Sequence, residues 1–129
     1  MTNRLAMAIA VAALVPVSAG FAGVLLGPGF VGGAPGPAEA TSHFRYLSGL
    51  LLGIGLGFWW CAQALGRRGT VFSVLCGVVV VGGAARLLGL ALGPLPPWPH
   101  LLALGMELLV TPALWLAWRA AFQTAPGGR

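Results

Sequence analysis

Charge is what this sequence has least of. Its 129 residues hold two acidic side chains, Glu39 and Glu107, with no aspartate and no lysine, and charged residues make up 7% of the chain. So thin a polar complement does not suit an ordinary soluble domain. Ser42, Ser48 and Ser73 stand in no nucleophile motif and have no evident base, so serine-hydrolase chemistry has no support. HExxH, CxxC and glycine-rich phosphate loops are all missing, and neither a metal nor another cofactor is expected. Alternating polar and apolar stretches are missing too, which favours helices over a membrane β-barrel. The basic residues are scattered arginines, and nucleic acid is not an expected partner.

What fills the chain is apolar: 58% hydrophobic residues, 21 glycines and a mean hydropathy of +0.93. Four apolar segments stand out, over residues 5–26, 44–65, 70–92 and 100–118. Each is close to the ~20 residues a helix needs to cross a bilayer. The expectation is an all-α protein, an integral membrane four-helix bundle forming a single transmembrane domain over residues 1–129. The first segment has a second reading. Arg4, the apolar residues 5–17 and Val17-Ser18-Ala19 have the layout of a secretory leader cleaved after Ala19. Phe21, Val24, Leu25 and Leu26 prolong the apolar run to spanning length, which favours a retained helix loosened, but not ended, at Pro16.

Arginine placement sets the expected orientation. Arg4, Arg67, Arg68, Arg119 and Arg129 fall on one side of a four-helix arrangement, while Glu39 and Arg45 fall on the other. The positive-inside rule then puts both termini in the cytoplasm of a bacterial inner membrane. Trp59, Trp60, Trp115 and Trp118 mark the inner boundary and Trp98 the outer one. Outer loops are expected at residues 27–43 and 93–99, and a cytoplasmic turn at residues 66–69. Pro37-Ala38-Glu39 reads as a helix first turn, so the second helix starts at 37 or 44.

Two charges interrupt the apolar runs, Arg86 in the third segment and Glu107 in the fourth. Each lies about seven residues from the outer end of its helix, or about 10 Å deep at roughly 1.5 Å per residue. The short proline-rich hairpin between these helices makes them antiparallel neighbours, so an Arg86–Glu107 ion pair is expected. Arg45, near the outer end of the second helix, can reach the same layer and would add surplus positive charge able to attract a carboxylate, phosphate or lipid head group. His100, Glu107 and Thr111 share a stripe at steps of seven and four, and Pro112 frees the carbonyl of Leu108 beside it. Gly82, Gly83, Gly89 and Gly93 flank Arg86, and Gly49, Gly53 and Gly57 repeat every four residues, a spacing for close helix approach.

Each feature has a plainer reading. An Arg–Glu pair can fix helix register with no ligand at all. His43 and His100 are better placed as interfacial side chains than as haem ligands. Cys61 and Cys76 read as buried reduced thiols, since CxxC spacing is missing and the expected compartment is reducing.

The motif Ser42-His43-Phe44-Arg45-Tyr46-Leu47-Ser48-Gly49-Leu50, followed by Gly53 and Gly55, resembles the opening motif of domain-of-unknown-function family 4345. Gly82-Gly83-Ala84-Ala85-Arg86-Leu87-Leu88-Gly89 resembles its second basic motif, and Glu107-Leu108-Leu109 its acidic one. The resemblance implies a small bacterial four-helix membrane protein and supplies no reaction.

Three functions follow as expectations. The first is binding, extending to transport, of a small amphipathic or anionic ligand or lipid at Arg45, Arg86, Glu107, His43, His100 and Thr111. Transport by four helices calls for a homo-dimer. The second is an accessory subunit of a larger membrane complex in which the ion pair is structural. The third is a small membrane enzyme acting on a lipid or quinone-like substrate with Glu107 as acid–base; no residue is otherwise expected to be catalytic. Membrane lipids are partners in all three.

Overall fold

A computed structural model describes residues 2–34 and 36–123. Arg129, which entered the reading of the topology, lies outside the described residues. The described residues are all-helical, with four helices: α1 (Thr2–Val31), α2 (Ala38–Ala62), α3 (Gly69–Leu92) and α4 (Trp98–Phe122). Each is long and apolar enough to cross a membrane. Contacts group the chain into two units, residues 7–63 and residues 64–129 with the first six residues.

Within the unit of residues 7–63, the α-helical part of α1 ends at Leu26. The chain tightens there into a 3-10 turn, Gly27–Val31, where an outer loop was expected to begin. Pro28 suits the first turn, and Gly27 (φ 64°) and Gly32 (φ 74°) supply left-handed backbone at its two ends. α1 is interrupted once, at Ala13, three residues before Pro16. The Pro16 ring removes the donor that the Ala12 carbonyl would accept. Bonds from Ala13 N–H to Ile9 O (2.9 Å) and from Val17 N–H to Ala13 O (3.1 Å) carry the chain through. Pro37 caps α2 from outside the helix, with ψ 148°, and its carbonyl accepts from Thr41 N–H at 3.1 Å.

α1 and α2 meet backbone to backbone. A Cβ added at Gly20 would lie 2.5 Å from Leu52 N and 2.8 Å from Ser48 O. One added at Gly55 would lie 2.9 Å from Val17 N. Trp59 Nε1 donates to Ala10 O at 2.8 Å across the same pair. Gly49 and Gly53, of the Gly49–Gly53–Gly57 row, do not make this close approach. Gly53 has no neighbour within 4 Å of a Cβ position and Gly49 only the tip of Val24. Spacing alone locates small residues, whereas the close approach depends on which face the neighbouring helix covers.

In the other unit, residues 64–68 turn tightly, with Arg67 N–H and Arg68 N–H both bonding Ala64 O at 3.0 Å. Trp118, near the end of α4, packs on Gly69 at the start of α3, meets Phe72 edge-on at 5.9 Å and donates to Leu65 O at 3.3 Å. Trp115 Nε1 donates to Ser73 Oγ at 3.0 Å, and the Arg119 guanidinium stacks 4.8 Å over the Trp115 ring. The other end of the pair is closed by Gly83 against Glu107 and Leu108. The two helices are therefore antiparallel.

α4 is not a uniform α-helix. Its segments Trp98–Gly105 and Thr111–Phe122 are joined by a π-turn, Met106–Val110. Pro112 is the cause in sequence: its ring clashes with the carbonyl four residues back and it offers no N–H. The widened turn relieves that clash, and Thr111 supplies both its N–H and its hydroxyl (2.9 Å) to Met106 O.

Most large apolar side chains point outward. In the most apolar windows of the four helices only 6–22% of residues are buried. Apolar surface on this scale is stable only against hydrocarbon or another protein.

Candidate functional site

Arg86 is held near the end of α3, where buried Gly83, one turn earlier, lets α4 come close. A Cβ at Gly83 would stand 2.8 Å from Glu107 Cβ and 2.8 Å from Leu108 Cδ2. That approach brings Glu107, from the π-turn, onto the Arg86 guanidinium. Arg86 Nε donates to Glu107 Oε2 at 2.9 Å and Arg86 Nη2 donates to Glu107 Oε1 at 3.0 Å. Two parallel bonds between planar groups make this the fork geometry that fixes orientation as well as charge. Arg86 Nη1 makes a third bond, to His100 Nδ1 at 3.1 Å, from the first turn of α4.

The protons follow from the chemistry of the groups. A guanidinium has five N–H donors and no acceptor. Nδ1 of His100 must therefore accept, which leaves the imidazole proton on Nε2. Three of the five donors of Arg86 are engaged, and two N–H bonds remain, one on each Nη. Among the described residues, His100 Nε2 has no hydrogen-bond partner. With Glu107 ionised and His100 in this tautomer, the trio carries no net charge. Arg86 is 34% exposed and Glu107 17%. The trio is therefore tied together on one side and open on the other, and its open side presents N–H donors.

The remaining sequence-derived candidates lie elsewhere. Thr111 does not join the trio: the π-turn rotates it off the His100–Glu107 stripe, and its hydroxyl is spent on Met106 O. Arg45 and His43 belong to α2, in the unit of residues 7–63. Arg45 is exposed and lies over the left-handed backbone of Gly27, its Nε 3.4 Å from the position of a Cβ there. It makes no hydrogen bond or ion pair among the described residues. A cation at this position faces the end of the α-helical part of α1, where carbonyls make the field negative. His43 is exposed, its ring 6.2 Å from that of Tyr46, beside an open depression lined by Ala38, Glu39, Ser42, His43 and Tyr46.

Of the glycines thought to flank Arg86, Gly83 packs closely on α4, and a Cβ at Gly93 would meet Gly89 O at 3.2 Å. Gly82 and Gly89 have no neighbour within 4 Å of a Cβ position. No group of three or more His, Cys, Asp or Glu that could hold a metal ion occurs among the described residues. Cys61 and Cys76 are both buried thiols. Sequence reasoning missed the π-turn and the bond from Arg86 to His100. The signal for the first was Pro112 directly after Thr111. The second had no signal beyond the histidine's place on the stripe.

Comparison with known proteins gives one match. A family model described as "Domain of unknown function (DUF4345)" matches residues 5–118, nearly the whole chain. Neither the curated proteins nor the solved structures contain a match to this chain.

Proposed function

The chain belongs to the DUF4345 family, a family without an assigned activity, and from its own residues we propose that it is a multi-pass membrane protein binding a small amphipathic or anionic ligand or lipid. The binding groups are Arg86, His100 and Glu107. The setting is the bacterial inner membrane, with both termini cytoplasmic and the trio in the outer half of the bilayer. Transport of the ligand would need a second copy of the chain.

One observation carries this reading. Arg86 sits within a helix of spanning length and remains 34% exposed with N–H bonds to spare, although Glu107 already neutralises it. Polar hydrogens at membrane depth cost several kcal/mol unless something accepts them, and water, a head group or a ligand is the natural acceptor. The unpaired Arg45 adds to the case, because an exposed cation at the end of an apolar span attracts anionic head groups.

The accessory-subunit reading is favoured by a different observation. Gly77, Gly82 and Gly89 on α3 are open, and glycine faces of this kind admit a second helix closely. Native mass spectrometry of the protein released from membranes in mild detergent separates the two. A stoichiometric small adduct, lost in Arg86→Ala, supports the binding site. Bare protein, or protein found only with a larger partner, supports the subunit.

A further inference from the structure

Resting on that binding reading, we propose that the trio selects an uncharged amphiphile bearing an oxygen acceptor, such as a ketone, ester or quinone carbonyl, over a carboxylate or phosphate of the same chain length. Two observations carry the proposal. The fork from Arg86 Nε and Nη2 to both Glu107 oxygens cancels the arginine's charge before any ligand arrives. The bond from Arg86 Nη1 to His100 Nδ1 fixes the histidine as a donor through Nε2–H. The open side of the trio therefore offers N–H groups without net positive charge.

A carbonyl oxygen meets that surface with nothing left over. It accepts from Nε2–H of His100 or from the spare Nη hydrogens of Arg86, and its hydrocarbon lies along the exposed apolar faces of α3 and α4. A carboxylate brings a third charge to a balanced pair, and in an apolar span an uncompensated charge is strongly disfavoured. Glu107 is thus a specificity residue as well as an anchor: it holds Arg86 in place and removes its attraction for anions. Gly83 is what lets Glu107 approach closely enough to do both.

The test uses the full chain in detergent micelles, with 2-dodecanone and dodecanoate as matched probes and native mass spectrometry as the readout. The ketone is expected to bind the wild type about tenfold more tightly than the carboxylate. Glu107→Gln leaves Arg86 with its charge uncancelled and is expected to reverse that order. A tighter carboxylate on the wild type, or an order unchanged by Glu107→Gln, overturns the selectivity while leaving a binding site standing. Saturable binding of neither probe, together with no adduct from native membranes, overturns the binding reading itself. Nitrogen-15 spectra of the wild-type imidazole make the case independent of the variant's folding. A single proton on Nε2 of His100 is expected, and a proton on Nδ1 overturns the donor assignment.

Discussion

Replacing Arg86 with leucine, alone and together with Glu107→Leu, tests whether the ion pair holds α3 to α4. The three hydrogen bonds of Arg86 end on two residues of α4, so Arg86→Leu strips the pair of all of them at once. It also leaves the Glu107 carboxyl, only 17% exposed, without a partner. Removing one member of a buried pair typically costs about 3–5 kcal/mol, and the one-third exposure of Arg86 puts this pair near the low end, at about 3 kcal/mol. Glu107→Leu should cost about 2 kcal/mol, because Arg86 keeps His100 and a flexible stem that can carry its charge toward the boundary. The double variant loses the bonds but strands nothing, and should also cost about 2 kcal/mol. The coupling in the cycle is then about 3 kcal/mol, at the upper end for residues in direct contact. Thermal unfolding in mild detergent, followed by circular dichroism, reads all four proteins. Single losses that add up in the double variant would refute the pairing argument.

Gly83→Ala should destabilise by about 1–3 kcal/mol, because its Cβ has to displace Glu107 Cβ and Leu108. Gly82→Ala, one residue away on an open face, should be neutral or stabilise by up to about 1 kcal/mol through helix propensity; equal effects in a detergent melt would contradict the close approach at Gly83. Gly20→Ala should be more damaging than Gly83→Ala, since its nearest neighbours are the backbone atoms of Leu52 and Ser48, which cannot rotate away; a milder effect in the same melt would be inconsistent with backbone contact between α1 and α2. The π-turn carries one residue more than an α-helical turn, so deleting Leu109 together with Pro112→Ala should restore a continuous helix and keep both contact faces of α4 on α3. Deleting Leu102 should instead swing His100 by about 100° away from Arg86. Equal loss of melting temperature in the two deletions would mean the turn does not set the register.

The chemistry of the chain was open to reading because it depends on type and depth along a helix. Four apolar runs with almost no charge determine four spanning-length helices in any arrangement. A rise fixed per residue, joined to a short hairpin, brings Arg86 level with Glu107 without knowledge of the fold. Of the two starts considered for α2, at 37 and at 44, the observed Ala38 lies beside the earlier, which Pro37 and Glu39 marked by local backbone chemistry.

Direction around the helix axis was decided by tertiary structure. The periodic row of Gly49, Gly53 and Gly57 looked like an interface, yet Gly49 and Gly53 meet no backbone and α1 and α2 approach closely at Gly20 and Gly55, because a glycine serves close packing only where a neighbour lies over it. Thr111 was placed on the stripe of Glu107 by assuming an unbroken α-helix, and the π-turn that Pro112 induces turned it back to Met106. Arg45 had the right depth for a polar layer, but depth says nothing about which surface a long side chain covers, and it covers Gly27. Composition and spacing thus determined what the helices are and where along each one every charge lies. The choice of partner for each charge was left to the packing, because it turns on rotations of about 100° that a single inserted residue or one missing Cβ is enough to produce.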